Sequence, residues 1–336
     1  MRSFASDNNS GVHPEVMAAI IEANRDHAAG YGDDRWTERA AECVRQVFGE
    51  EARPFFLFNG TGANSVALQA VTRSFHSILC AATAHIYVDE CNAPARMTGC
   101  QLNAVATPDG KLTPDLLRPH LQHFGDCHHA QPGAVYISQA TGLGTLYTVV
   151  EVRAIASLVH AHGMKLHMDG ARLANACAAL GCTMREVTVD AGVDILSLGG
   201  TKNGMMMGEA VVAFREEVAA DIKYYRKQSA QLASKMRYLS AQFIPYLDGL
   251  WLRNAQHANR QARRLAAALA RFPQLRLTQP VETNQLFIAM PRTVIARLSE
   301  RYFFYVWNEA ADEVRFVTSW DTTDVGIAAL VDALAG

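Results

Sequence analysis

The sequence has little of what marks secreted, membrane-spanning or nucleic-acid-binding proteins. Its seven cysteines are scattered, without a CxxC pair or the clustering of a zinc site, which indicates neither a disulfide framework nor a metal site. The net charge of −2 provides no basic field to hold a polyanion. No apolar run reaches membrane-spanning length, and the N-terminus becomes polar too soon for a signal peptide. We expect a soluble cytoplasmic protein without a metal, a nucleic-acid partner or a membrane partner.

What the sequence does contain is a regular alternation of short apolar runs and amphipathic stretches. Hydrophobic residues make up 49% of the 336 and charged residues 19%, which is ordinary for an α/β enzyme. Seven runs are candidate strands, at residues 55–59, 77–81, 102–106, 134–139, 165–169, 195–199 and 209–214. Alternating strands and helices are typical of βαβ units. The pattern predicts an α/β fold with a mostly parallel seven-stranded sheet.

The pattern changes in the last third of the chain. Helices are predicted over 219–243 and 251–272, with basic positions that most simply form solvated faces. Shorter candidate strands follow at 275–277, 284–290, 303–307 and 314–318, and a last helix starts at 324. We expect a large domain over 1–245, with 1–13 as an N-terminal arm, and a small α+β domain over 246–336.

Two of the apolar runs lead to charged residues. The run 165–169 ends at Asp169, and the run 195–199 continues through two small residues to Lys202. In open α/β sheets, ligands bind at the carboxyl ends of the strands. Pyridoxal phosphate needs both groups, a lysine for its covalent link and a carboxylate that keeps its ring nitrogen protonated. Either residue alone would more simply be a solvated charge at a strand end.

A glycine-bearing segment, Asn59-Gly60-Thr61-Gly62-Ala63, follows the first candidate strand and precedes a helical pattern. Glycines at such a place let backbone N–H groups approach a phosphate, and the N-terminus of a helix favours its negative charge. A plain turn with a helix cap explains the segment equally well.

Four further residues have weaker signals. His85 adjoins a strand-like run and is more simply structural, although its ring could stack on a pyridine. His128 and Tyr31 lie in polar segments that are typical of surface loops. Arg315 lies in an apolar strand, where a long cation usually reaches for water, but in a cleft its planar fork would suit a carboxylate.

With these segments aligned, the chain resembles the L-threonine aldolase family of the low-specificity type. This family belongs to the β-eliminating lyase group of aspartate-aminotransferase-like, fold type I pyridoxal phosphate enzymes. The most specific motifs are His167-Met-Asp169-Gly-Ala-Arg172 and Gly199-Gly-Thr-Lys202-Asn203. The resemblance runs nearly end to end through Ser6-Asp7-Asn8, Tyr31-Gly-Asp-Asp34, Asn59-Gly-Thr61, His85, Asp89-Glu90, Ser138-Gln139-Ala-Thr141 and Arg315-Phe-Val-Thr-Ser-Trp-Asp-Thr-Thr323.

The resemblance implies pyridoxal 5′-phosphate as the cofactor and three overlapping sets of site residues. The catalytic set is Lys202, His85, Asp169 and His128. The cofactor-binding set is Gly60, Thr61, His85, Asp169, Arg172 and Lys202. The substrate-binding set is Ser6, Tyr31, His128, Arg172 and Arg315.

The resemblance also implies a role for most of these residues. Lys202 would hold the cofactor covalently, Asp169 would pair with its ring nitrogen, and His85 would stack on the ring. Gly60 and Thr61 would bind the phosphate. The substrate's α-carboxylate would be taken by Ser6, Arg172 and Arg315, and His128 would lie near its β-hydroxyl. Tetramers built from dimers, with active sites shared between subunits, are typical of the family.

The reaction that the resemblance implies is retro-aldol cleavage of a β-hydroxy-α-amino acid to glycine and an aldehyde. The base could be His85, His128 or a water molecule. Other pyridoxal phosphate reactions, namely β-elimination, transamination or racemisation, are the nearest alternatives, because neither fold nor cofactor fixes which bond breaks. A catalytically silent binding protein is less consistent with retention of Lys202 and Asp169.

Two positions depart from the family pattern. Ala63 stands where many members have a second glycine in the phosphate turn, and Gly142 replaces a larger polar residue. We expect phosphate binding through Gly60 and Thr61 to survive the first change. The second leaves open which substituent the substrate carries at Cβ.

Overall fold

Seven strands form the central sheet of the computed structural model, which describes residues 3–335. They are β1 (Arg53–Leu57), β2 (His76–Ala81), β3 (Gln101–Val105), β4 (Gln131–Ser138), β5 (Lys165–Gly170), β6 (Ile195–Gly199) and β7 (Glu209–Ala213). Their order across the sheet is β1-β7-β6-β5-β4-β2-β3. β7 runs antiparallel to β1 and β6, whereas the other neighbouring pairs are parallel. The predicted mostly parallel seven-stranded sheet is confirmed.

Helices pack against this sheet and follow its strands along the chain. Those of the first half are α1 (Pro14–Ala23), α2 (Arg35–Phe48), α3 (Gly60–Val71), α4 (His85–Val88), α5 (Ala93–Thr98), α6 (Pro114–Leu117), α7 (Val149–Ala161) and α8 (Leu173–Leu180). Those of the second half are α9 (Met184–Val187), α10 (Glu216–Ala219), α11 (Ile222–Gln228), α12 (Arg237–Ser240), α13 (Phe243–Pro245), α14 (Trp251–Leu269), α15 (Arg292–Ser299) and α16 (Asp324–Ala335). Every residue of β6 and β7 is buried, as expected for strands covered on both faces. In the described part of the chain, no helix is long and apolar enough to cross a bilayer.

The helix ends follow from local sequence. The Asp34 carboxylate caps α2 by accepting the N–H groups of Trp36 at 3.0 Å and Thr37 at 2.9 Å. Thr148 and Glu151 form a capping box at the start of α7. Both caps satisfy N–H groups that have no partner within the first turn of their helix.

The C-terminal part forms a second, antiparallel sheet. Its strands are β8 (Arg276–Leu277), β9 (Gln285–Ala289), β10 (Tyr305–Asn308) and β11 (Glu313–Val317), in the order β10-β11-β9-β8. The helix α14 packs on both cores, because Ala255 belongs to the core of the large sheet and Ala262 to that of the small one. The boundary predicted between residues 245 and 246 lies shortly before α14, which packs on both cores, and it stays a prediction.

The N-terminal arm crosses from the large sheet to the small one. The N–H of Phe4 donates to the carbonyl of Phe303 at 2.8 Å, and Val317 donates to the carbonyl of Phe4 at 2.8 Å. The Phe4 ring is 1% exposed and packs against Phe316 in the small-domain core. Burial of an aromatic side chain fixes the arm beside the cleft between the two sheets.

Three local predictions were wrong. The helix predicted over 219–243 is interrupted: α11 and α12 lie within it, and the segment between them contains Ala230, whose φ of 57° is left-handed and ends a regular helix. The run after His85 is the short helix α4 rather than a strand. The helix expected after the glycine turn already begins at Gly60, so Gly60 and Thr61 lie in its first turn.

Candidate active site

The carboxyl ends of β5 and β6 open into one cleft between the two sheets. Asp169 pairs with Ser197 across these neighbouring strands, and Lys202 lies three residues beyond the end of β6. Six residues predicted for the site line the cleft, namely Gly60, His85, Asp169, Arg172, Lys202 and Arg315.

The Asp169 carboxylate is buried and held by three donors. Its Oδ2 accepts from the Tyr136 hydroxyl at 2.5 Å and from Asn64 Nδ2 at 3.0 Å, and its Oδ1 accepts from the N–H of Ala171 at 2.9 Å. Burial raises the pKa of Asp169, but the hydrogen bond from Tyr136 and the positive charges nearby outweigh burial and hold that pKa below its ordinary value. Asp169 is therefore a fixed anion at the floor of the cleft.

His85 is oriented by a buried carboxylate. Its Nδ1 lies 2.7 Å from Glu90 Oε1, which also accepts from Asn64 Nδ2 at 2.8 Å. The Asn64 amide thus joins Glu90 to Asp169 and ties the ring of His85 to the carboxylate on the floor. A histidine held at Nδ1 presents its Nε2 to whatever binds in the cleft.

Lys202 faces the cleft among charged neighbours. Burial lowers the pKa of Lys202, and the charge of Arg172 acts in the same direction, while Asp7 and Asp169 oppose both. Glu209 also lines the cleft, and burial raises its pKa to about 7. A lysine with a lowered pKa has more of the neutral amine that forms covalent links with carbonyl groups.

The two arginines have different environments. Arg172 donates from Nε to Asp7 Oδ2 at 2.8 Å and from Nη2 to Asp7 Oδ1 at 2.9 Å, and Asn284 donates to the same carboxylate at 3.0 Å. Arg315 has a single weak bond, from Nη2 to the carbonyl of Ala5 at 3.3 Å. Its Nε is buried without a hydrogen-bond partner among residues 3–335. The fork of Arg315 is thus the better placed of the two for a ligand carboxylate.

Aromatic rings fix the guanidinium of Arg315. Its central carbon lies 4.5 Å from the ring centroid of Trp307 and 5.7 Å from that of Tyr305. Trp307 is the extra residue of a β-bulge in β10, and such bulges redirect a side chain. Burial lowers the pKa of Arg315 to about 10, and the charge of Arg172 acts in the same direction. The group remains a cation at neutral pH.

The first turn of α3 forms the end of the cleft expected to bind phosphate. Gly60 lines the cleft, and a side chain there would meet nothing within 4 Å. Thr61 follows it in the same turn, whose N–H groups lack partners within the helix. At Gly62 a Cβ would come within 2.3 Å of the end of the Gln231 side chain, which would have to shift to make room. Ala63 is fully buried in the core behind the turn, which accommodates its departure from the family pattern.

The remaining predicted residues lie farther out. Ser6 lines the outer part of the cleft, and its hydroxyl accepts the N–H of Asn8 at 3.2 Å. Tyr31 is 54% exposed beside Lys227, and His128 lies in an exposed loop. The single chain does not bring Tyr31 or His128 into the cleft. Gly142 does line it, and a Cβ there would come within 2.7 Å of the Thr83 carbonyl.

Several residues of the site were missed by reasoning from the sequence. Tyr136 and Asn64 lie in the middle of a strand and a helix, and nothing in their local pattern indicates a contact with Asp169. Asp7 and Glu90 were predicted only as parts of the segments that carry the family resemblance, and no role was assigned to either. In the loop of His128, possible ligand atoms of His123, Asp126 and His129 lie within 4.8 Å of one another, although no metal site was expected from the sequence.

The comparisons with known proteins agree with this geometry. A family model described as Beta-eliminating lyase matches residues 3–292. The chain belongs to this family. The low specificity L-threonine aldolase of Pseudomonas aeruginosa is 46% identical, with 96% of this chain and 93% of that protein covered. That of Pseudomonas sp. strain NCIMB 10558 is 44% identical, with 97% and 95% covered.

A solved structure supports the same assignment. The threonine aldolase of Leishmania major is 29% identical and superposes with a TM-score of 0.94, covering 100% of this chain and 99% of that one. The resemblance to threonine aldolases within the β-eliminating lyase group is confirmed, and the chain is a lyase of a family that depends on pyridoxal phosphate.

The residues of the cleft fit this cofactor. Asp169 is an anion suited to a protonated ring nitrogen, and Lys202 supplies an amine at the next strand end. At the other end of the cleft, Gly60 leaves open space over the N-terminus of α3, which suits a phosphate. The donor set of the cleft thus matches all three polar parts of the cofactor.

Proposed function

We propose that the protein is a pyridoxal phosphate-dependent aldolase that cleaves L-threonine, L-allo-threonine and related β-hydroxy-α-amino acids to glycine and an aldehyde. One observation carries the proposal: Asp169, Lys202 and Arg315 line a single cleft. An anion for the ring nitrogen, an amine for the covalent link and a fork for the substrate carboxylate are the groups this chemistry needs.

When bound, pyridoxal phosphate supplies a ring that accepts the electron pair of the Cα–Cβ bond as this bond breaks. Gly60 and Thr61 would bind the phosphate, and Asp169 would keep a proton on the ring nitrogen. Lys202 Nζ would hold the cofactor covalently. These assignments rest on the pKa directions of Asp169 and Lys202 and on the position of Gly60 at the start of α3.

The substrate is bound by its carboxylate and loses its β-hydroxyl proton. Arg315 takes the α-carboxylate, and Arg172, paired with Asp7, adds positive charge beside it. His85 Nε2 is the histidine nitrogen in the cleft that can receive the proton, since Nδ1 is held by Glu90. The Cα–Cβ bond then breaks, the aldehyde leaves, and a proton returns to Cα to give glycine.

Product analysis tests the proposal against its alternatives. The cofactor-loaded protein is incubated with L-threonine, L-allo-threonine, L-phenylserine and L-serine. Glycine with acetaldehyde or benzaldehyde is the expected result. Pyruvate or 2-oxobutyrate with ammonia would indicate β-elimination, an oxo acid with an aminated cofactor would indicate transamination, and loss of optical activity alone would indicate racemisation. A binding protein would yield none of these products.

We further propose a tetramer built from dimers, working in the cytoplasm. Large apolar side chains stay exposed on the single chain and would be covered by assembly; they are Phe75, Tyr87, Met207 and Tyr224. Tyr31 and His128 would then reach the cleft of a neighbouring subunit, as would basic residues of the 223–237 segment. All seven cysteines are free thiols, which suits a reducing compartment.

A further inference from the structure

The cleft contains a buried amide that the mechanism does not use. Gln285 begins β9 and is 1% exposed, and its side chain lines the same cleft as Lys202 and Arg315. Neither Nε2 nor Oε1 has a hydrogen-bond partner among residues 3–335. Leaving a buried polar group unpaired is costly, so such groups are rare without a ligand.

The position of Gln285 relative to Arg315 limits what it can contact. On β9 and β11, Val317 lies opposite Gln285 and Arg315 lies opposite Phe287. Residues two apart on a strand share a face, so Gln285 and Arg315 are diagonal neighbours on the face that lines the cleft. The Cα atoms of such neighbours lie about 7–8 Å apart. A carboxylate on Arg315 therefore brings the rest of the same amino acid within reach of the Gln285 amide.

The chemistry of the Gln285 amide indicates which group of the bound amino acid it contacts. It offers a donor at Nε2 and an acceptor at Oε1, and a carboxylate can pair only with the donor while the acceptor repels it. The carboxylate is already provided for by Arg315. A hydroxyl can pair with either atom and is repelled by neither.

We propose that Gln285 binds the β-hydroxyl of the amino-acid substrate and so selects β-hydroxylated amino acids. This inference rests on the proposed function. A bond from Nε2 to the β-oxygen also strengthens as that oxygen loses its proton and gains negative charge, so the amide stabilises the transition state more than the bound substrate.

The stem of Gln285 lies in a closely packed part of the cleft wall. A Cβ placed on Gly144 would lie 3.2 Å from the Cβ of Gln285, so the loop after β4 lies directly beside the stem of this side chain. On the same strand, Phe287 packs edge-on against Trp307, with ring centroids 5.4 Å apart. The backbone and stem of Gln285 are thus closely packed, and its side chain lines the cleft.

The test compares ligands that differ only in the hydroxyl. Dissociation constants of L-serine and L-alanine are measured by calorimetry on cofactor-loaded wild type and Gln285→Met, beside kcat/KM for L-threonine and a thermal melt. In the variant, the preference for serine over alanine should fall by about 5- to 30-fold, the worth of one or two hydrogen bonds. The kcat/KM for threonine should fall by a similar factor, while alanine affinity and the melting temperature should not fall.

A matched control separates recognition from folding. Gln261→Met makes the same chemical change in α14. Gln261 does not line the cleft, and its Nε2 donates to Asp324 at 2.8 Å. It should lower the melting temperature and keep the serine preference. An unchanged serine preference in Gln285→Met would overturn the proposal, and so would equal losses for serine and alanine together with a lowered melt.

The outcome stays separate from that of the proposed function. If no aldehyde is released from any β-hydroxy amino acid, the aldolase proposal fails. The ratio of serine to alanine affinity still reports whether Gln285 contacts a hydroxyl.

Discussion

Lys202 has a lowered pKa in a cleft with an anion at its floor, so its amine should hold the cofactor. Borohydride treatment of the loaded wild-type protein should fix the cofactor on Lys202, and Lys202→Ala should take up no label. Peptide mapping by mass spectrometry checks both results. Lys111→Ala removes a lysine that pairs with Glu151 outside the cleft, and it should be labelled like wild type. A label on any other lysine of the wild type would contradict the assignment.

A substitution at Arg315 can distinguish whether the substrate carboxylate is recognised by the geometry of the guanidinium or by its charge alone. Arg315→Lys keeps a cation but loses the planar fork, and we expect amino-acid binding to weaken by about 1.5–3 kcal/mol, the worth of a hydrogen bond to a charged group. Titration with glycine measures the affinity. Before glycine is added, the visible absorption of the bound cofactor should be the same in the variant and in wild type. If the melting temperature falls while glycine affinity does not, the arginine serves folding instead.

Trp307 should act on binding through Arg315. Trp307→Leu removes the ring face that lies 4.5 Å from the guanidinium, at a cost of about 0.5–2 kcal/mol in glycine affinity for a partly desolvated cation–π contact. Trp307→Phe retains a ring and should keep most of the affinity. Equal affinity in wild type and Trp307→Leu would mean that the strand backbone alone positions the arginine.

Among the elements, the N-terminal arm makes the most unexpected contribution. Burial raises the pKa of Asp7, but the charge and hydrogen bonds of Arg172 outweigh burial and hold that pKa below its ordinary value. Asp7→Ala would leave Arg172 buried without its partner, which should cost about 3–5 kcal/mol of unfolding free energy. Denaturant unfolding at neutral pH measures the loss, and Asp33→Ala, the same change at an exposed position, should cost little.

The same pair predicts a pH dependence. A carboxylate whose folded pKa is depressed contributes stability above its unfolded pKa, about 3.9, and this stability is lost as pH falls through the folded pKa. The wild type should therefore lose its advantage over Asp7→Ala as pH falls below about 4. A constant difference between the two proteins from pH 7 to pH 3 would show that the ionised form of Asp7 contributes nothing.

The elements also show what the sequence can and cannot predict. The strands of the large sheet were predictable because short stretches rich in apolar residues recur between helical patterns, as in β6 and β7, where burial on both faces favours such residues. The helix predicted over 219–243 failed because apolar spacing does not register a left-handed residue such as Ala230. Gln231, just after this reversal, accepts the N–H of Phe58 at 3.0 Å, a contact 173 residues away in sequence.

The same limit applies to the site. Asp169 and Lys202 were predictable because each is charged and lies at or just beyond the carboxyl end of a buried strand. The contacts of Asp7 with Arg172 and of Asn64 with Asp169 join residues 165 and 105 positions apart. The local sequence pattern around each residue does not indicate them. Gln285 was missed for a related reason, since one polar residue in a strand most often faces solvent.

At the scale of the whole molecule, the single chain accounts for only part of the expected site. The cleft of one chain contains Lys202, Asp169, His85 and Arg315, whereas Tyr31 and His128 lie on the exterior. In a symmetric dimer the same surface of each subunit meets its counterpart, so a residue that enters a neighbouring cleft does so in both directions. A site shared in this way can be tested by combining defects on different chains.

Co-expression of differently tagged subunits provides that test. Lys202→Ala and His128→Ala should each be inactive alone, but a hybrid dimer has one cleft with neither defect. With random pairing, half of the dimers are hybrids, and one of the two sites in each hybrid is intact. Activity should therefore recover to about a quarter of wild type. Lys202→Ala with Asp169→Asn is the matched control, because both residues line the cleft of one chain and every hybrid site stays defective. If the first pair recovers no more activity than the second, His128 acts within its own chain or not at all.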